Sequence, residues 1–538
     1  MPGTGPLRRS SRADRTQAIV GKSRFEAAFR YKNSNPQKTQ LLNGVRGVEG
    51  SPIAAVLLAR DFHHSFEPSP PTQKNPFDEP FRQCFNTPFA TASSRPAANH
   101  PSMPIPFPRL PLARSLACSA LLALSSLAPH VLAEDFQGST HMMEFDDEPV
   151  YYTQAIPSGP IAALQERIDK GGLRLPFDEK FGYLPGLLAE LHIPKSSQML
   201  VFSKTSVQRK LISPKQPRAL YFNDDVYIGY IPGSPIMEIS AVDPKIGGVF
   251  YQVEQQELRR PKFIRNDTCL QCHASARSMG VPGHILRSVG ADADGEPDIQ
   301  TEVQPITHCT PLADRWAGWF VTGAHGDQHH RGNLISPAAF ARYESEPEAM
   351  GNLNDLRQFF DPSAYLEPGS DIVALSVLEH QAHMHNYIAR LNYETQIMMF
   401  RYGHIRYLKA QVNAFLRYLL FTEEARLTAP VSGNPQFTQE FSNRGPRDHQ
   451  GRSLRDFDLQ TRLFKYPCSY LIYSDAFDQL PTVMRDHLCQ RLWDILNGKD
   501  ANPDFAAIPE EDRKAILEIL RETKPNLPAY WRETATAG

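Results

Sequence analysis

The period of the hydrophobic positions changes along the chain, and those changes divide it. Up to residue 102 the apolar patches are brief, as at 53–58, and the surroundings are rich in Arg, Ser, Pro and Asn. No period of 2 or 3.6 is sustained there, so disorder is expected. Residues 103–133 have a different layout: Met103, then Arg109 and Arg114, an apolar run over 116–127, and Val131-Leu132-Ala133 before Glu134. That is the three-part pattern of a secretory signal peptide. The run is well short of the roughly 20 residues of a spanning helix, and Pro129 and His130 break it. Export with cleavage near Ala133 is therefore expected, with translation starting at Met103 and no transmembrane span.

From 158 to 171 the pattern is that of an amphipathic helix, with Ser158 as N-cap, Pro160 in the first turn and Gly171 at the end. A short helix over 184–191 follows. The period then becomes 2 over 199–202, 218–222, 226–231, 236–242 and 249–253, between Asn-Asp-Asp, Pro-Gly and Gly-Gly turns. This predicts a mainly antiparallel sheet, with a further strand over 284–289 and a polar turn over 292–295. Beyond 336 the period is 3.6 again. Long helices are predicted over 370–401 and 404–426, joined at Gly403, with shorter ones over 481–496 and 510–521 and a surface loop over 428–452. The fold class is thus α+β, an α+β domain over 134–335 followed by an α-helical domain over 336–538.

Charge follows the same division. Residues 1–133 hold 16 Lys and Arg against 7 Asp and Glu, and the remainder holds 41 against 52. The leader is basic and the body acidic, a balance that implies no nucleic-acid partner.

The chemistry centres on Cys269-Leu270-Gln271-Cys272-His273, which the chain reaches directly from the predicted sheet. Two thiols three residues apart, with a histidine next, are what covalent haem attachment needs: the thiols meet the two vinyl groups of one haem and the imidazole ligates its iron. Cys269 and Cys272 are the expected thioether links to one haem c, and His273 the proximal ligand. A structural zinc site would need two further ligands, and no second C-x-x-C exists. A thioredoxin-like pair would sit in an alternating α/β pattern, which the flanks lack.

Several other residues are candidates for the same site. Arg259, Arg260, Arg265, Arg277 and Arg287 crowd the motif and suit haem propionates, or form a solvated basic face. Trp316, Trp319 and Phe320 are candidates for a crevice wall or for ordinary core. His325, between glycines, and His380, on the long helix with Glu379, His383, Met384 and His385, are candidate distal ligands; a polar seam explains the second group equally well. A Cys468–Cys489 disulfide and two buried free thiols are both consistent with the cysteine count.

The haem motif resembles that of cytochromes c in general. Longer stretches resemble a group of large exported bacterial proteins with a single haem-c motif and no established activity: Thr268 to His273, Arg315-Trp316-Ala317-Gly318-Trp319-Phe320-Val321-Thr322-Gly323, Val377-Leu378-Glu379-His380-Gln381, and Phe464-Lys465-Tyr466-Pro467-Cys468-Ser469-Tyr470. The resemblance implies haem and export. Small cytochromes c use a methionine some tens of residues after the motif; here Met279 is too close and the next is Met350, so a methionine ligand is not expected. The leading expectation is a periplasmic monohaem cytochrome passing single electrons to an unidentified redox partner. The alternatives are a haem-dependent oxidoreductase acting on a small molecule, with His325 as acid/base, and a haem-based sensor.

Overall fold

A computed structural model of the chain describes residues 143–346 and 351–532; the expected leader segments 1–102 and 103–133 lie outside the described residues. Strands β1 (Met199–Val201), β2 (Arg218–Phe222), β3 (Val226–Tyr230), β4 (Ile236–Asp243), β5 (Gly247–Glu254), β6 (Ile264–Arg265) and β9 (Trp319–Phe320) form one antiparallel sheet in the order β6-β5-β4-β3-β2-β1-β9. The remaining two, β7 (Ser288–Ala291) and β8 (Pro297–Val303), make a hairpin closed at the predicted polar turn, where the Gly295 N–H donates to the Asp292 carbonyl at 3.0 Å. The fold is α+β, as the change of period predicts.

Register explains why the sheet has two cores. Pairings Ile228↔Ile239 and Ile239↔Tyr251 line one face with Ile228, Ile239, Tyr251 and their alternate neighbours. That face packs against helices α1 (Pro160–Asp169) and α2 (Leu184–Glu190) through Ile161, Leu164, Leu184 and Leu187. The other face presents Met199, Val201, Phe222 and Trp319 to the C-terminal helices. Full burial of each such side chain contributes about 1.5–3 kcal/mol, so a one-residue slip of register would be heavily penalised.

Between the sheet and its neighbours runs the longest helix. Helices α3 (Leu270–His273) and α4 (Pro337–Ser345) are followed by α5 (Ile372–Tyr402), α6 (Lys409–Leu419), α7 (Pro435–Asn443), α8 (Asp475–Asp478), α9 (Thr482–Leu496) and α10 (Glu510–Thr523). Asp371 caps α5 by accepting from the Ala374 N–H at 2.8 Å, and Gly403, with φ 72°, ends it. Of its 31 residues 24 are buried, so α5 is surrounded on all sides and its polar side chains must find partners inside the protein. It lies against β5, α6, α7 and α8. Across the expected boundary at 335/336, Asn392 and Tyr393 bond to the carbonyls of Lys245 and Ile246, and the described residues on both sides belong to one compact unit.

Four local expectations are corrected. Ser158 does not cap α1; its N–H and hydroxyl both donate to Asp243, and Gly159 takes the capping place. The strand expected from 284 begins at Ser288, because the His284 peptide is bonded to a side chain of α5. The second long helix breaks into a 3-10 turn at Arg406–Leu408 and α6, which stops at Leu419 before Phe421 takes a left-handed φ of 54°. Finally, the expected loop over 428–452 contains α7, opened by the Asn434 cap and Pro435 and held by buried Phe437 and Phe441, four residues apart on one face.

Candidate functional site

The Cys-Leu-Gln-Cys-His motif leaves the sheet from β6, which pairs with β5 through Tyr251↔Arg265 and Gln252↔Ile264. Asn266 accepts from the Thr268 N–H at 3.1 Å and starts a tight turn, after which Leu270–His273 make one turn of helix. Both thiols of the motif are free; Cys269 is half-buried and Cys272 exposed. Burial, reinforced by the Glu238 carboxylate, pushes the Cys269 thiol up to about 11, so it stays protonated at neutral pH.

His273 is held by its other ring nitrogen. Its Nδ1–H donates to the Gly283 carbonyl at 2.9 Å, and the ring lies 4.6 Å from that of Phe250 on β5. A carbonyl can only accept, so this bond fixes the tautomer and leaves Nε2 with the lone pair. Burial lowers the pKa of His273, which keeps the ring neutral. A haem-ligating histidine needs that arrangement, an orienting acceptor on one nitrogen and a free lone pair on the other. The Gly283 carbonyl is fixed in turn by α5: Asn386 accepts from the His284 N–H at 2.8 Å and donates to the His284 carbonyl at 2.7 Å. A Cβ on Gly283 would run into the Asn386 side chain, so the close approach requires glycine.

Three of the five arginines around the motif are paired with carboxylates of the chain. Arg265 pairs with Asp267 at 2.7 Å, donates to the carbonyls of Ala155 and Tyr152, and covers the Tyr152 ring. Arg277 and Arg287 converge on Glu302. Arg259 and Arg260 are exposed and, among the described residues, in no ion pair, as on a solvated basic face. The pair whose field reaches both Cys269 and His273 is Arg218–Glu238, 2.8 Å apart on β2 and β4. Arg218 lies across Gly229 with its Nε buried and without a partner. Its signal in the sequence was alternation: Arg218 shares a sheet face with Glu238 and Phe250, although both are at least twenty residues away.

Neither distal candidate is brought to the motif. His325 follows β9, whereas the motif contacts β5, and five strand spacings separate the two, on the order of 24 Å. Its contacts are local: Nδ1 to the Gln328 carbonyl at 2.7 Å, its N–H to Asn352, and the His330 ring 4.7 Å away. The His380 ring is occupied at both nitrogens, Nδ1 at 2.8 Å from His308 Nδ1 and Nε2 at 2.8 Å from the Ser469 hydroxyl. Trp319 and Phe320 form the far edge strand and Trp316 is fully buried beside it, so these rings serve the core. Met279 offers its carbonyl to Arg390 at 2.7 Å, and Met350 lies outside the described residues.

Three of the four stretches that carry the resemblance meet instead around α5. The Arg315 guanidinium pairs with Glu379, whose second oxygen accepts from the Trp316 indole N–H at 3.1 Å. His380 meets Ser469, and Gln381 accepts from the Tyr470 hydroxyl at 2.5 Å while donating to Tyr227 at 2.8 Å. Burial pushes Glu379 up to about 8 against the opposing pull of Arg315. His308, Arg315, Glu379 and Glu424 line an internal cavity of about 20 Å³, room for about one water. Nearer the motif, His284 sits 4.4 Å ring to ring from Tyr227 and 6.0 Å from His385, each imidazole with a buried, unpartnered Nδ1. In the sequence His284 stands out only as the first residue of a predicted strand.

Cys468 and Cys489 are buried free thiols, not a disulfide. Among the described residues no three His, Cys, Asp or Glu side chains are grouped to hold a bare metal ion, and no helix is long and apolar enough to cross a membrane. A haem brings four nitrogens of its own and asks the protein for axial ligands only. No family model matches this chain, and no curated protein or solved structure matches it.

Proposed function

We propose that the protein is an exported monohaem c-type cytochrome, holding one haem through Cys269 and Cys272 with His273 on the iron. The observation that carries this reading is the Nδ1–H bond of His273 to Gly283, which leaves Nε2 neutral and free beside two free thiols. Bound haem supplies an iron that takes up and releases one electron at a time. The chain's own part is to hold His273 in one tautomer, to press its ring against Phe250, and to set the local field with Arg218 and Glu238. A denaturing gel stained for haem, run on protein made with a haem-ligation system, tests attachment: a band at the mature mass is expected, and an unstained band sinks the proposal. Export rests on the layout of residues 103–133, and N-terminal sequencing beginning at Glu134 is its expected result.

A second reading, a haem oxidoreductase or sensor with an open coordination position, is favoured by one observation. His380 is bonded at both ring nitrogens, and His325, although its Nε2 is unpartnered, sits beyond the far edge strand of the sheet. Six-coordinate, low-spin spectra in both oxidation states would support electron transfer, and a high-spin ferric form that takes up cyanide or azide would support the second reading.

A further inference from the structure

The end of α5 and the turn after it carry a surface that neither reading uses. Among the described residues twelve large apolar side chains are exposed, and four of them fall between Met399 and Tyr407: Met399, Phe400 at 55%, Tyr402 at 54% and Tyr407 at 66%. The rings of Tyr402, His404 and Tyr407 lie against one another, with centroids 5.2–6.3 Å apart. A Cβ on Gly403 would meet nothing within 4 Å and residues 399–403, 406 and 407 are exposed, so the outer side of the turn is open. The charge here is the reverse of the body's. From Thr395 to Thr422 there are four basic residues, Arg401, Arg406, Lys409 and Arg417, and no Asp or Glu. Arg401 is bridged to Glu144 at 3.3 Å and Arg417 faces Glu423 and Asp504 at 3.6 Å, while Arg406 and Lys409 are exposed and, among the described residues, in no ion pair.

We infer that this exposed turn is an anchor by which the protein rests on an anionic lipid surface. Tyrosine rings are at home at the headgroup level, hydroxyl wet and ring apolar, a phenylalanine ring inserts beneath it, and flanking cations add attraction to anionic headgroups. A lipid surface also asks for no pocket, which suits side chains grouped on an open turn. The position is near the haem motif. Arg390 of α5 bonds to the Met279 carbonyl, six residues after His273, and Phe400 lies ten residues further along α5, roughly 15 Å. Glu144, the partner of Arg401, adjoins Met143, whose N–H bonds to the Gly280 carbonyl at 3.1 Å.

The inference stands apart from the haem reading, because it is tested on protein mass alone. Purified full chain is sedimented with phosphatidylcholine vesicles and with vesicles containing phosphatidylglycerol. Binding to the second kind, weakened by salt, is expected. Phe400→Ser with Tyr407→Ser, and separately Arg406→Glu with Lys409→Glu, should each reduce it at least tenfold with circular dichroism unchanged, all four side chains being exposed. No sedimentation with anionic vesicles overturns the inference, as does undiminished binding by both double variants. Capture of an acidic protein through the same residues without vesicle binding would assign the patch to protein docking and overturn it equally.

Discussion

The motif at the sheet edge and the polar seam of α5 hold similar residue types under opposite physical conditions. At the motif Cys272 is exposed and Cys269 and His273 are half-buried, with the chain in a single helical turn. Around α5, Glu379, His380 and Gln381 are fully buried, and each of their side-chain polar atoms is matched by a partner from another segment. Where the proposed haem would attach, the side chains are accessible and lightly packed. Chemistry that must hold a central helix among its neighbours is desolvated, and each unmatched group there would be expensive. Changes at the two places should therefore separate cofactor loss from loss of fold.

The largest expected effect is at the motif. Cys269→Ala with Cys272→Ala should abolish covalent haem, read as the loss of the haem-stained band, while the apoprotein's unfolding free energy from urea titration changes by no more than about 0.5 kcal/mol. Glu379→Ala should do the reverse. Above pH 8, where Glu379 is ionised, it strips the buried Arg315 guanidinium of its counter-charge and the Trp316 N–H of its acceptor, so a loss of about 3–5 kcal/mol is expected in a urea titration at about pH 9. A destabilisation under 1 kcal/mol would show that the pair is not buried as described.

This division also decided what the sequence could disclose. The proposed haem site rests on the sequence because its chemistry would be local: five consecutive residues carry the spacing, both thiols and the imidazole together. The sheet and α5 were legible for a related reason, since a period of 2 or 3.6 is a property of neighbouring positions. The seam was not legible, because Arg315 and Glu379 are 64 residues apart and His308 and His380 are 72 apart. No periodicity links such pairs; only packing does. The same limit misplaced His325, whose flanking glycines suggested reach but could not disclose that its loop hangs from the opposite edge strand.

Acid should act on the buried histidines around α5. Burial lowers His385 from 6.5 to about 4 and His383 to about 3, and drives His284, His308 and His380 in the same direction. Below pH 6.5 the unfolded chain takes up protons that the folded protein refuses until its lower pKa is reached. The contribution of these histidines to stability is thus complete above about 6.5 and is lost as pH falls toward 4, by about 3 kcal/mol for His385 alone. Urea midpoints measured between pH 7 and 5 should fall steeply, and His385→Gln should flatten the fall. A flat profile for the wild type would mean that these imidazoles are solvated.

The smallest expected effect tests where the two regions join. Asn386 belongs to α5, yet its amide clamps both sides of the His284 peptide, and the adjoining Gly283 carbonyl orients His273. Asn386→Ala removes two buried hydrogen bonds and leaves a backbone donor and acceptor unsatisfied, for which about 1–3 kcal/mol is expected. Stability alone would not distinguish a clamp from ordinary packing, so the informative readout is at the motif. With the clamp gone the Gly283 carbonyl can drift, and Nδ1 of His273 loses the bond that fixes its tautomer and strengthens it as a ligand. Amide exchange over residues 273–284 should quicken, and the reduction potential of the haem-loaded protein should rise relative to wild type, because a less basic imidazole stabilises ferric iron less well. Asn386→Asp keeps the acceptor for the His284 N–H and should recover part of both. If stability drops while exchange and potential stay at wild-type values, Asn386 only packs the helix, and the orientation of His273 is set by the motif's own turn.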